Sequence, residues 1–60
     1  MNALLAIRIV EGEAKSDEQA LDAWQYLVNT GIAFQLQGSY GRTAARLIED
    51  GLINAPEVTA

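Results

Sequence analysis

Sixty residues limit the chain to one small domain, and a domain of that size buries only about 60% of the surface its unfolded chain exposes. There is no cysteine and no histidine, which excludes disulfide staples and the commonest zinc ligands, and the formal net charge of −4 argues against affinity drawn from neutralising phosphates. Half of the residues are hydrophobic, more than a monomer this short readily covers, so self-association or docking on a partner is the expected way to hide them.

In chain order, residues 2–11 fit two templates. Leu5, Ile7 and Ile9 alternate as a strand would, whereas Ala3, Ala6, Ile7 and Val10 share a helical face. β-Branched residues favour the strand; Asn2 as N-cap and Gly12 as terminator favour a helix over about 3–11, which is the reading adopted. The run is too short to span a bilayer, which takes about 20 residues, and it lacks the basic start of a secretory signal. An intracellular setting is the expectation, in keeping with the missing cysteines.

A helix over 17–29 follows. Ser16 and Gln19 form a capping box, Asp17 and Glu18 sit at the positive end of the helix dipole, and Asn29-Thr30-Gly31 closes it. Ala20, Ala23, Trp24, Leu27 and Val28 make the buried stripe, with Asp22, Gln25 and Tyr26 off it. Residues 32–37 read as a short helical turn. Residues 40–50 read as the last helix, with Ser39 as candidate N-cap and Ala44, Leu47, Ile48, Gly51 and Leu52 in phase. Gly51 suits a left-handed stop with Leu52 folded on Leu47, Asp50 is within reach of Arg46, and 54–60 is a tail broken by Pro56. Trp24, Leu27, Leu36, Leu47 and Ile48 are the expected core. The fold class is all-α: a compact mini-domain of three helices plus one short helical turn.

Chemistry has little to work with. A Ser or Thr nucleophile would need Lys15, a carboxylate or the terminal amine as its base, and the carboxylates from Glu11 to Asp22 read as solvated charges. No catalytic residue, metal site or cofactor is expected. The loop 38–43 could present N–H groups to an anion, yet it lacks the Gly-Lys-Ser/Thr ending of a phosphate loop and is read first as a helix corner. A helix-turn-helix over 32–37 and 40–50 would aim Arg42, Thr43 and Arg46 at DNA. Phe34 stands where that motif wants a small residue, and Gln37 and Ser39 flank the turn glycine where it wants apolar ones. Arg42, in the first turn of a helix whose dipole is positive there, calls for a compensating acceptor, such as backbone carbonyls from 32–37.

The stretch Leu27-Val28-Asn29-Thr30-Gly31-Ile32-Ala33-Phe34-Gln35-Leu36-Gln37-Gly38-Ser39-Tyr40-Gly41-Arg42-Thr43-Ala44, with Leu47-Ile48-Glu49 and Gly51 beyond it, resembles a set of very short, uncharacterised bacteriophage proteins. Their shared stretch looks like Thr-Gly-Leu-Ala-Trp-Gln-Leu-Gln-Gly-x-Tyr-Gly-Arg-Thr-Ala, with Ile32 and Phe34 here in place of Leu and Trp. The resemblance implies a phage origin and a setting in the host cytoplasm; it transfers no activity. The expected function is therefore non-enzymatic: binding of a host or phage protein, as a homo-oligomer, through Gln35, Gln37, Tyr40, Arg42 and Arg46, polar and aromatic types common at interfaces. The alternative is the helix-turn-helix regulator.

Overall fold

A computed structural model describes residues 1–36 and 38–56, and it is all-α, with no strand among the described residues. The first helix, α1 (Ala3–Arg8), starts where the Asn2 side chain accepts from the Leu5 N–H at 2.8 Å, which settles the first segment as helix. It runs on as a π-helical turn, Ile9–Glu13, that breaks at Gly12 with φ of 133°. Few side chains tolerate that backbone, so Gly12 ends the helix as expected. Arg8 bridges the turn, donating to both Glu13 oxygens at 2.9 and 3.3 Å. That hydrogen bond and the adjacent negative charge hold the guanidinium pKa above its ordinary value. Both partners are solvated, so the pair adds little stability.

Helix α2 (Asp17–Asn29) has the box at its start with one difference in wiring. Ser16 Oγ accepts from the Gln19 N–H at 3.1 Å, but Gln19 Oε1 accepts from the N–H of Lys15, one residue before the cap, at 2.6 Å. At the far end the Thr30 hydroxyl donates to the carbonyls of Tyr26 and Leu27, and Gly31 turns the chain at φ 79°. Ala23, Leu27 and Val28 are fully buried, while Ala20 and Trp24 are half-buried. Tyr26, expected off the stripe, packs on the core as well. The reason is position: α2 is covered by α1 and its π turn and also by the segment after Gly31, so its buried face is wider than one stripe.

Residues 32–37 shorten to a 3-10 turn, Ile32–Phe34. Ala33 is fully buried there, whereas Phe34 and Leu36 are exposed, so the expected core place of Leu36 is corrected. A tight turn can bury one side chain from so short a run, and the smallest is the one that lets α3 come close.

Helix α3 (Gly38–Glu49) begins before the expected residue 40. Ser39 is inside it, at its second position, and so is not the N-cap. The stop is as read: Gly51 (φ 76°) donates to the Ile48 carbonyl and Leu52 to that of Leu47, both at 3.0 Å. Leu52 nevertheless points to solvent, and the buried side chain past the stop is Ile53. A two-point bond secures it: Asn54 N–H donates to Gln25 Oε1 at 2.6 Å, and Gln25 Nε2 donates back to the Asn54 carbonyl at 3.0 Å. Gln25 is thus a tether for the end of the fold rather than a surface residue.

The core joins Ala6, Ile9, Ala23, Leu27, Val28, Ala33, Ala44 and Ile53, with Trp24, Leu47 and Ile48 half-buried against it. Half of its members are alanines, so the elements approach closely. Gly41 suggests an even closer approach, yet a Cβ placed there would meet Phe34 Cδ1 at 3.7 Å and the Ala33 carbonyl oxygen at 3.9 Å, ordinary contact distances. Gly41→Ala is therefore expected to raise stability by about 0.5–1 kcal/mol, since alanine fits the helical backbone and loses less chain entropy. A thermal melt followed by circular dichroism checks this; a lower Tm would mean that α3 sits tighter on the 3-10 turn.

Candidate functional site

The five candidate residues do not converge. Arg42 and Arg46 share one exposed stripe of α3, around a shallow hollow of about 440 Å³ that Ala45, Glu49 and Asp50 complete. Arg46 Nε lies 3.9 Å from Asp50 Oδ2, the expected pairing, well exposed on both sides. Arg42 is exposed, its Nη1 reaching back toward Gly38, and among the described residues it makes no hydrogen bond to the carbonyls of 32–36. Gln35 is exposed beside Phe34 and Leu36. Gln37 lies outside the described residues.

Tyr40 stands apart, two residues before Arg42 and so roughly 200° round the helix. Half-buried, it faces the first half of the chain. Its ring centroid is 5.7 Å from that of Trp24, at an interplanar angle of 51°, a tilted aromatic contact. Its hydroxyl donates to Glu11 Oε1 at 2.5 Å. Glu11 belongs to the π turn, and in the sequence it is one of five carboxylates between residues 11 and 22. No local signal marks it, because its partner is 29 residues away.

The bond to the Glu11 carboxylate, helped by partial burial and by the negative charge, holds the Tyr40 pKa above the ordinary phenol value. Tyr40 therefore stays a phenol at neutral pH, donating to Glu11 and so joining α3 to the π turn. A raised pKa stabilises the folded state below the unfolded value, near pH 10, and that contribution is lost as pH rises through the folded value. Alkaline titration of stability should thus show a fall above about pH 10 that is smaller in Tyr40→Phe. Equal falls in the two proteins would mean that the bond is not kept in solution.

The 3-10 turn, three residues long, does not supply the first helix that a helix-turn-helix needs ahead of Gly38. Among the described residues no group of three or more acidic side chains is placed to hold a metal ion, and no helix is long and apolar enough to cross a membrane.

These features define a small all-α domain whose aromatic–carboxylate bracket, Trp24, Tyr40 and Glu11, faces away from its arginine stripe. The chain belongs to the family described as a domain of unknown function (DUF7417), whose family model matches residues 2–60. Comparison with curated proteins and with solved structures gave no match.

Proposed function

We propose that the protein acts by binding another protein, of the host or of a phage, in the host cytoplasm, and that it also associates with itself. The observation that carries this reading is the amount of large apolar side chain left in water: Leu4 is 69% exposed, Leu52 54% and Phe34 49%, with Met1, Leu5 and Leu36 also exposed. Six large apolar side chains exposed on a sixty-residue chain support the reading that part of this surface is covered by a partner. Gln35, between Phe34 and Leu36, adds a polar group to that surface, and Arg42 and Arg46 are exposed enough to join a rim. The charge of −4 favours protein over nucleic acid as the partner.

Sedimentation velocity at micromolar concentration tests it. The wild type should form a dimer or larger species, and Leu4→Glu should be monomeric with its helical circular dichroism kept, because Leu4 is largely exposed in the monomer. A wild-type chain that stays monomeric and captures no protein in affinity purification overturns the reading. A mobility shift of random duplex DNA at low salt would replace it with the DNA-binding one.

A further inference from the structure

Two hollows flank the Tyr40–Glu11 bracket. One, about 240 Å³, is lined by Val10, Glu11, Trp24, Ser39, Tyr40 and Thr43. The other, about 180 Å³, is lined by Ile7, Glu11, Leu36 and Tyr40. Because Glu11 and Tyr40 wall both, the hollows are halves of one groove with the bracket as a bar across it. We infer that this groove takes a segment of the partner protein that carries a lysine or arginine between apolar side chains. The inference rests on the protein-binding reading above and states where binding occurs and what is bound.

Size comes first. Small-molecule sites run to about 300–1,000 Å³, so each half suits a single side chain rather than a whole ligand. The walls come next. Val10 and Trp24 on one side of the bar, and Ile7 and Leu36 on the other, offer apolar surface to two side chains that straddle it.

Charge decides the residue in between. Glu11 is the one charged group among these lining residues. Arg8 is held by Glu13, and Arg42 and Arg46 lie on a different face of α3. Tyr40 donates to Oε1 of Glu11, and among the described residues no hydrogen bond engages Oε2, where an incoming cation would make a charge-assisted bond. The neighbouring rings of Trp24 and Tyr40 add a favourable surface for the same cation. An acidic segment or a phosphate backbone would meet like charge from Glu11 and from a chain of net charge −4.

The chain's single tryptophan, Trp24, lines the groove and reports on it. The probe is a six-residue peptide of alternating leucine and arginine, titrated while Trp24 fluorescence is read. A saturable change is expected. It should weaken about tenfold or more in Glu11→Gln, which removes the charge but can still accept from Tyr40, and stay within about twofold in Glu49→Gln, on the arginine stripe. Thr43→Lys, an exposed change that places the protein's own cation at the groove, should abolish binding and serves as the second variant if Glu11→Gln does not fold. A leucine–glutamate peptide should leave the fluorescence unchanged. Equal weakening by Glu11→Gln and Glu49→Gln would reduce the effect to general charge attraction and overturn the inference, as would binding of the leucine–glutamate peptide or the absence of any saturable change. A Thr43→Lys chain that captures partner protein as well as wild type would overturn the groove alone and leave the protein-binding reading standing.

Discussion

Leu27→Ala is expected to cost about 2–5 kcal/mol, comparable with the whole stability that one small core supplies, and so to leave much of the protein unfolded at 25 °C. Leu27 and Val28 are the largest fully buried side chains, and Leu27 lies in the last turn of α2, the helix against which α1, the π turn and the 3-10 turn all pack. Removing it loses the transfer free energy of its buried carbons and leaves a hole that its alanine neighbours are too short to fill. Urea titration followed by far-UV circular dichroism would read the loss. Leu36→Ala is the matched control: that leucine is exposed, and its removal should stay within about 0.5 kcal/mol. Equal losses from the two would return Leu36 to the core and move the 3-10 turn.

The opposite error should be nearly as damaging. Ala44 is the fully buried residue of α3, held where that helix meets the rest of the core. Ala44→Leu adds three carbons where there is no space, and overpacking of this kind costs about 1–3 kcal/mol. Its neighbour Ala45 is exposed on the same helix, and leucine and alanine are both good helix formers, so Ala45→Leu should be close to neutral. The difference in denaturation midpoint between the two isolates packing from helix propensity. If Ala44→Leu matched Ala45→Leu, α3 would have room to shift outward.

The parts of this fold that were legible in the sequence are those decided within a few residues. Asn2 and Ser16 cap their helices because a short polar side chain needs only the next turn to bond to, and Gly12, Gly31 and Gly51 close them because a positive φ is a local demand. Arg46 and Asp50 meet because a helix puts them there. What was not legible depends on other segments. Ile53 is buried in place of Leu52 because the chain leaves Gly51 toward α2, where Asn54 bonds Gln25. Tyr26 and Leu36 exchanged expectations, since burial follows how many elements cover a residue rather than its phase alone. The same applies to the candidate site. Tyr40 meets Glu11 and Trp24 through tertiary packing, which no local pattern shows, and Arg42 and Arg46 face elsewhere.

Two side-chain bonds described above, Tyr40 to Glu11 and Gln25 to Asn54, each close a separation of 29 residues. Residue 40 lies in the first turn of α3 and residue 54 beyond its exit, while 11 and 25 belong to the first half of the chain, so both bonds are expected to form when α3 docks. The helices are bounded by local stops and need no distant contact to define their ends. Docking therefore carries the loop-closure cost of folding, and its reversal is a sub-global opening in which α3 and residues 50–54 leave together. Each such opening erases the groove between the π turn and α3. If the groove takes a partner as proposed, that opening equilibrium sets the concentration of binding-competent protein, and a seated partner would raise the docked population.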